Sequence, residues 1–209
     1  MTTLAGRWWG TARVRSSYAS LVESYTAMTI SYDRFPGLRQ EVQAFLAALP
    51  EGPILDLGCG AGRDSHLAAM AGRAAVLADV TPELLSATAT RLATGLAVCC
   101  DALALPFRST QFAGVIASGV LLHLPKPYTT AALEGIRRIL IPGGKALISM
   151  KHSGHDGWRQ TAEFPAPRWF TYYEPEDFAD ACHAAGLPVT HLEKSHRKDW
   201  FTVTAARPD

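Results

Sequence analysis

The chain has 209 residues, of which 48% are hydrophobic and 19% charged, values typical of one folded domain with a large core and not of a disordered chain. Twenty lysines and arginines against nineteen aspartates and glutamates leave a formal net charge of +1, so no global field draws the protein to phosphate backbones or anionic membranes. The longest apolar run, residues 113–122, is far shorter than the roughly 20 residues of a transmembrane helix, and we expect a cytoplasmic protein with no membrane partner.

The N-terminal part of the chain has helical patterns in two sections. Residues 1–36 are polar and aromatic and end at a Pro-Gly break, whereas residues 38–49 carry apolar side chains at the spacing of an amphipathic helix. We predict a helical lid over residues 1–36 and a larger second unit over residues 37–209. Because Tyr25 and Tyr32 are seven residues apart, one continuous helix through both would place them on the same face.

From residue 53 onward, short apolar runs alternate with helical patterns. The predicted strands are residues 53–58, 74–80, 96–100, 112–118 and 145–151, and the predicted helices between them are residues 64–71, 82–93 and 129–140. Strands that are apolar throughout and separated by helices indicate a parallel sheet with helices on both faces. The sequence therefore predicts an α/β fold.

The alternation stops after the last of these strands. Residues 152–174 are rich in glycine, proline, histidine and aromatic residues and are predicted to form a structured insertion. Residues 174–186 have a proline near their start and a glycine at their end, which is typical of a helix. The last two apolar runs, residues 188–195 and 199–207, are predicted to form a β-hairpin.

A glycine-rich segment, ILDLGCGAGRD, lies where the first predicted strand turns into a helix. Its glycines, Gly58, Gly60 and Gly62, allow a tight turn and a close approach of a ligand, and the helix N-terminus offers unpaired N–H groups. A dinucleotide-binding fingerprint would need another glycine where Arg63 stands, so the match to that fingerprint fails by one residue. The segment favours a nucleotide-like ligand.

Three of the predicted strands carry an aspartate near their carboxyl ends: Asp56, Asp79 and Asp101. The carboxyl ends of parallel strands meet at the edge where open α/β sheets bind ligands. Asp79 is placed to accept hydrogen bonds from two ribose hydroxyls, and Asp101 from an adenine amino group. A row of carboxylates repels pyrophosphate but suits a cationic adenosine derivative.

Over residues 50–151 the chain resembles the class I S-adenosylmethionine-dependent methyltransferases. The resemblance rests on the segments above and on VLADVTPELL, CCDALALPF, GVIASGVLLHLP and IRRILIPGGKALISMK. The stretch FTYYEPEDFADACHAAGLPV extends the resemblance towards the C-terminus. The resemblance implies a Rossmann-like, doubly wound sheet of seven strands in the order 3-2-1-4-5-7-6, with the last strand antiparallel. One departure is Ala113, which stands where the family often has aspartate.

The resemblance also implies that S-adenosylmethionine is the cofactor. In that family the glycine loop holds the methionine half, the carboxylate at Asp79 the ribose, and Asp101 with Ala102 the adenine. The cofactor-binding residues that we expect are Asp56, Gly58, Cys59, Gly60, Arg63, Asp79, Val80, Asp101, Ala102, Ser118 and Tyr25.

The methyl acceptor must lie over the same edge of the sheet. Methyl transfer from a sulfonium is an in-line displacement, so alignment can supply most of the catalysis and a general base is optional. Residues 1–36 and 152–174 are free to cover the edge, and both contain many aromatic side chains that can stack on an acceptor. The predicted substrate-binding residues are Tyr32, Trp158, Trp169 and Tyr172. The predicted catalytic residues are His123, His152 and His155.

We expect transfer of a methyl group from S-adenosylmethionine to a nitrogen or oxygen atom of a small-molecule acceptor. No Asn-Pro-Pro-Tyr segment follows the fourth strand and no basic stripe emerges, which argues against a nucleic acid substrate. A bound metal is not expected, because the spacing of His152, His155 and Asp156 is unspecific. Two alternatives stay open: a wobble-base tRNA methyltransferase, which RWFTYYEPEDF faintly resembles, and a non-catalytic cofactor-binding partner subunit. The oligomeric state is also open.

Overall fold

The computed structural model describes residues 8–194 and 197–209; residues 1–7 of the predicted lid and 195–196 of the last predicted hairpin lie outside the described residues. The helices are α1 (Gly10–Ala19), α2 (Val22–Thr29), α3 (Leu38–Ala47), α4 (Arg63–Met70), α5 (Pro82–Arg91), α6 (Lys126–Ile139) and α7 (Pro175–Ala184). The strands are β1 (Ile54–Leu57), β2 (Ala75–Asp79), β3 (Ala97–Cys99), β4 (Phe112–Ser118), β5 (Leu140–Lys151), β6 (Gly157–Arg159), β7 (Arg168–Phe170), β8 (Val189–Lys194) and β9 (Trp200–Ala206).

Seven of the described strands form one mixed sheet in the order β3-β2-β1-β4-β5-β9-β8. The first five in this order run parallel, whereas β9 lies antiparallel between β5 and β8. Strands β6 and β7 form a separate hairpin, so numbering only the strands of the large sheet gives the expected order 3-2-1-4-5-7-6. The predicted fold class is confirmed.

Helices cover both faces of this sheet. In β4, Val115 and Ala117 pack into a core with α6 and α7, whereas Ile116 packs against α3 and α4 on the opposite face, because successive side chains of a strand point in opposite directions. All three side chains are fully buried. This two-sided burial accounts for the continuous apolar run at residues 113–122. None of the described helices is long and apolar enough to cross a membrane.

The N-terminal segment forms two short helices and a turn. Helix α2 ends at Thr29, and the Phe35 N–H then donates to the Tyr32 carbonyl (2.8 Å). Gly37, with a φ of 83°, leads into α3, and this left-handed conformation suits glycine. The expectation that Tyr25 and Tyr32 share one helix face is therefore wrong, because the helix breaks between them.

The predicted insertion contains the β6–β7 hairpin, which packs against α1. Trp158 pairs with Trp169 across the hairpin, and the ring of Trp8 lies 6.0 Å from that of Trp158 and 5.8 Å from that of Trp169. The Ser17 hydroxyl of α1 also donates to the Pro167 carbonyl (2.5 Å). These contacts join the N-terminal segment to the insertion.

The central strand β1 offers a test of the core. Leu55 is fully buried, whereas Leu96, on the loop before β3, is 52% exposed. Leu55→Ala should lower the free energy of unfolding by about 2–5 kcal/mol, because a buried cavity costs more than the transfer of the lost atoms alone. Leu96→Ala, the same chemical change, should stay within about 0.5 kcal/mol of the wild type. Urea unfolding monitored by circular dichroism measures both, and equal losses would contradict the described packing.

Candidate active site

The loop between β1 and α4 presents bare main chain to a pocket at the carboxyl edge of the sheet. Gly58 and Gly60 have φ values of +66° and +50°, a region that glycine adopts at little cost. A Cβ atom at Gly58 would lie 2.3 Å from Val120 Cγ2, and one at Gly60 would lie 3.0 Å from Tyr25 Cε1. The Thr88 hydroxyl donates to the Gly60 carbonyl (2.7 Å) and fixes the loop. A side chain at Gly58 would collide with Val120, and one at Gly60 would crowd Tyr25, so both positions favour glycine.

The Asp79 carboxylate, at the end of β2, forms the base of this pocket. The Gly60 N–H donates to Oδ2 (3.0 Å) and the Thr81 N–H donates to Oδ1 (2.8 Å). Burial raises the pKa of Asp79, while the two N–H groups act in the opposite direction. Because each carboxylate oxygen has a second lone pair, both can still accept a hydrogen bond from a ligand hydroxyl.

Asp56 and Arg63 hold the start of α4 and do not line the pocket. Asp56 Oδ2 accepts hydrogen bonds from the N–H (3.0 Å) and the hydroxyl (2.6 Å) of Ser65, and burial together with the nearby Asp64 raises the pKa of Asp56. Arg63 donates twice to Asp64 (2.9 and 3.1 Å), and the Tyr32 hydroxyl donates to the same carboxylate (2.7 Å). Burial alone would raise the pKa of Asp64, but the Arg63 guanidinium holds it below its usual value.

The structure brings most of the predicted cofactor-binding residues to one pocket. Those that line it are Gly58, Gly60, Asp79, Val80, Asp101, Ala102, Ser118 and Tyr25. Asp56, Cys59 and Arg63 lie beside the loop and outside this pocket. Cys59 is buried, and burial raises the pKa of its thiol, so its side chain packs against the loop without forming part of the pocket wall.

A second cavity of about 500 Å³ adjoins the first. It lies between the N-terminal segment, the β6–β7 hairpin and the carboxyl edge of β4 and β5. The residues that line both cavities are Tyr18, Tyr25, Ser118, Gly119 and His123. We refer to this second space as the acceptor cavity and to the five shared residues as the junction.

His123 is held at the junction by both of its ring nitrogens. Nδ1 lies 2.5 Å from the Trp169 carbonyl oxygen, and Nε2 lies 2.8 Å from the Tyr18 hydroxyl. Since a carbonyl can only accept, Nδ1 carries the proton and the neutral ring accepts the Tyr18 hydroxyl hydrogen at Nε2. Burial lowers the pKa of His123 to about 4. The ring is therefore neutral at pH 7 and both nitrogens are occupied.

The other predicted catalytic and substrate-binding residues lie in different places. His152 contacts Ser153 Oγ through Nδ1 (2.6 Å), and His155 is exposed; neither lines either cavity. Trp158 and Trp169 pack with Trp8 instead of lining the acceptor cavity. Of the four predicted substrate-binding residues, Tyr172 lines this cavity, whereas Tyr32 binds Asp64. Within residues 8–194 and 197–209, no group of three His, Cys, Asp or Glu side chains is arranged to hold a metal ion.

Sequence reasoning missed several polar residues of the acceptor cavity, among them Tyr18, Lys151 and Arg168. Lys151 ends β5, and its position at the carboxyl end of a parallel strand was a usable signal. Tyr18 and Arg168 are brought together by the packing of α1 on the hairpin, with 3.5 Å between the Tyr18 hydroxyl and an Arg168 nitrogen. No local pattern indicates a contact between residues 150 positions apart.

The fold and the pocket define a Rossmann-like enzyme that binds an adenosine-bearing cofactor at the carboxyl edge of its sheet. Residues 54–144 match the family model described as a methyltransferase domain. A malonyl-[acyl-carrier protein] O-methyltransferase from Herminiimonas arsenicoxydans is 33% identical over 191 residues, which cover 87% of this chain and 70% of that protein. The chain belongs to the class I S-adenosylmethionine-dependent methyltransferase family.

Two further proteins place the chain within this family. The 1,6-didemethyltoxoflavin-N1-methyltransferase of Burkholderia thailandensis, solved with 1,6-didemethyltoxoflavin and S-adenosylhomocysteine bound, has the same fold, with a TM-score of 0.76 and 22% identity over 100% of this chain and 93% of that one. A tRNA (carboxymethyluridine(34)-5-O)-methyltransferase of Xenopus tropicalis is 37% identical over 106 residues, which are 50% of this chain and 16% of that protein. These three proteins are all methyltransferases, and their names give different acceptors.

The cofactor is S-adenosylmethionine, and the protein is a methyl-transferring enzyme. The pocket fits this cofactor, because Gly58 and Gly60 line it with main chain and Asp79 offers two acceptor oxygens to ribose hydroxyls. The buried carboxylate also suits a ligand with a positive charge.

The Asp79 carboxylate gives a first test of this pocket. Asp79→Asn keeps the shape of the side chain but replaces a charged acceptor by a neutral one, and hydrogen bonds to charged groups contribute roughly 1.5–3 kcal/mol. The variant should bind S-adenosylhomocysteine at least about tenfold more weakly in calorimetry. Asp180→Asn, on an exposed position of α7, should bind as the wild type does. An unchanged affinity in Asp79→Asn would show that the ribose lies elsewhere.

His123 gives a second test, based on pH. Its pKa is about 4 in the folded protein, against an ordinary value of 6.5, so between these values only the unfolded chain binds the proton. The stability contributed by the neutral ring is complete above pH 6.5 and is lost as the pH falls towards 4, by about 3 kcal/mol in all. His123→Asn can retain a hydrogen bond to the Trp169 carbonyl but does not titrate. The stability difference between the wild type and this variant should therefore shrink by about that amount between pH 7 and 4.

Denaturant unfolding at several pH values measures this difference. His66→Asn, on the exposed surface of α4, serves as the matched control, because it removes a histidine that lines neither cavity. A constant difference between the wild type and His123→Asn across the pH range would contradict the neutral, buried state of His123.

Proposed function

We propose that this enzyme transfers the methyl group of S-adenosylmethionine to an oxygen or nitrogen atom of a small molecule bound in the acceptor cavity. The observation that carries the proposal is the size of this cavity and its junction with the cofactor pocket. Its volume of about 500 Å³ lies within the range of small-molecule sites, which is roughly 300–1,000 Å³. It meets the cofactor pocket at the junction, where an acceptor atom and a methyl group can come together.

In this proposal, different residues contact the ribose, the adenine and the methionine part of the cofactor. Asp79 accepts the ribose hydroxyls, and Asp101 with Ala102 contacts the adenine. Gly58 and Gly60 face the methionine part. Val80, Ser118 and Tyr25 complete the walls, whereas Asp56, Cys59 and Arg63 support the loop from behind through the contacts described above.

S-adenosylmethionine supplies a methyl group on a positively charged sulfur, so the protein has to align the acceptor and exclude water. Tyr18 and Tyr25 pack edge to face, 5.1 Å apart, across the junction, and they separate the cofactor pocket from solvent. His123 holds the Tyr18 hydroxyl in place through Nε2. Because both of its nitrogens are engaged, we assign His123 a positioning role and not that of a proton acceptor.

Residues 8–36 act as a lid in this proposal, and the hairpin of residues 152–174 forms the opposite wall. Trp8 and Val14 of the lid are buried in the main core, so the lid is part of the folded domain. It therefore covers the two cavities with Tyr18 and Tyr25 while staying docked on the rest of the domain. A flap that detaches from the domain would instead bury little apolar surface.

A tRNA acceptor is the second candidate. The name of the Xenopus tropicalis relative and the RWFTYYEPEDF segment favour it. The formal net charge of +1 opposes it, because binding a polynucleotide usually needs a basic surface that releases counterions.

The two candidates can be separated with methyl-labelled S-adenosylmethionine. The protein is incubated with a small-molecule cell extract, with total tRNA, and with neither. We expect label in the small-molecule fraction and none above background in tRNA. Asp79→Asn should lose this incorporation, which controls for label that arises from contaminating enzymes. Label confined to tRNA would refute the small-molecule proposal.

A further inference from the structure

Arg168 is a buried arginine that has no acidic partner. It lines the acceptor cavity and is only 7% exposed. It forms no ion pair with any carboxylate of the described residues, and its Nε has no hydrogen-bond partner there. Its one polar contact is the Tyr18 hydroxyl, 3.5 Å from Nη1. A buried charge of this kind is costly unless an opposite charge compensates it.

Aromatic rings hold the Arg168 guanidinium in place without neutralising it. Its central carbon lies 4.2 Å from the centre of the Phe164 ring, 5.2 Å from that of Phe170 and 5.7 Å from that of Tyr18. Such contacts attract a cation through the negative face of the ring but bring no opposite charge. The Nε–H group is therefore fixed in direction and left without an acceptor.

Two acidic side chains at or near the acceptor cavity are paired with other cations. Glu163 pairs with Arg34 at the surface (2.6 Å), and Asp64 pairs with Arg63 (2.9 Å). Lys151, which also lines the cavity, has its pKa lowered by burial and by the charge of Arg168. Among the described residues that line the acceptor cavity, six are arginines or lysines and one is a carboxylate.

The cofactor adds one more positive charge next to this group. Arg168 contacts Tyr18, and Tyr18 is part of the junction at which the acceptor cavity meets the cofactor pocket. A sulfonium in the cofactor pocket and a guanidinium in the acceptor cavity repel each other unless an anion lies between them. The arrangement thus selects for an acceptor that brings a negative charge to the junction.

We propose that the acceptor is a carboxylic acid, and that its ionised carboxylate binds Arg168 and receives the methyl group to form a methyl ester. This inference rests on the proposed small-molecule function and names its substrate class. One carboxylate oxygen accepts hydrogen bonds from the guanidinium, and the other faces the junction.

The chemistry balances without a general base. The free carboxylate oxygen forms a bond to the methyl carbon, the bond between that carbon and sulfur breaks, and the sulfur keeps the electron pair. No proton is released, since the nucleophile is already an anion. This agrees with His123, whose two nitrogens are engaged with Trp169 and Tyr18 and are not available to take a proton.

The other side chains that line the cavity indicate which chemical group carries the carboxylate. Phe164, Phe170, Tyr172 and Trp200 line it, and these rings favour an apolar or planar group behind the carboxylate. We therefore choose 3-phenylpropanoate and benzoate as probes. Their amides, 3-phenylpropanamide and benzamide, are neutral controls of the same shape.

The first experiment identifies the product. Small molecules labelled from methyl-labelled S-adenosylmethionine are treated with mild alkali, which hydrolyses a methyl ester and releases labelled methanol. Volatile label supports the inference. Label that stays in the small molecules after alkali refutes the carboxylate inference but leaves small-molecule methylation intact. Absence of label from all small molecules refutes the proposed function itself, so the two failures are distinguishable.

The second experiment measures binding without turnover. The protein is saturated with S-adenosylhomocysteine, and its Tm is measured with each acid and with each amide. At least one acid should raise the Tm of the wild type more than its amide does. Arg168→Met, which keeps the length of the side chain but removes the charge, should lose this rise. Arg15→Met, on an exposed position of α1, should keep it. Equal shifts for acids and amides in the wild type would refute the inference.

The ligand-free protein separates a binding role of Arg168 from a structural one. If its charge serves to bind an anion, Arg168→Met should have a Tm equal to or above that of the wild type without ligand, because an uncompensated buried charge has been removed. A lower Tm would assign Arg168 to the fold and overturn the inference. Arg168→Lys, which keeps the charge, should retain part of the acid-dependent rise in Tm. It is the control that distinguishes loss of the charge from a general loss of folding at this position.

Discussion

The convergence of parallel strands on one edge of the sheet is the constraint on which the rest of this protein depends. Because β1, β2 and β4 run in the same direction, their carboxyl ends place the glycine loop, Asp79 and Ser118 around one pocket. The same edge would otherwise leave loops and carboxylates open to water. The N-terminal helices and the β6–β7 hairpin pack over this edge and line the cavities there.

The two cavities draw on different parts of the molecule. The cofactor pocket is built mainly at the carboxyl edge of the sheet, whereas the acceptor cavity also depends on α2 and the hairpin. Tyr18 connects the two parts, because it contacts His123 beside the sheet and Arg168 on the hairpin. A change in the hairpin can thus alter the acceptor without altering the cofactor site.

Local signals in the sequence predicted the sheet and most of the cofactor pocket. Glycines with positive φ at positions 58 and 60, and Asp79 at a strand end, follow from short motifs whose geometry is set within a few residues. The acceptor side was less predictable. Trp158 and Trp169 resemble substrate-stacking residues in the sequence but pack against Trp8, and Arg168 becomes a site residue only through its contact with a helix 150 positions earlier.

The stacked indoles give the enzyme a built-in optical signal. Trp8 and Trp158 lie nearly parallel, with 20° between their planes, and transitions of aromatic rings so close together couple to each other. One ring belongs to the N-terminal helices and the other to the hairpin, so the coupling exists only while these two parts are in contact. Near-ultraviolet circular dichroism therefore reports on how these two parts are assembled, in unlabelled protein and during a catalytic cycle.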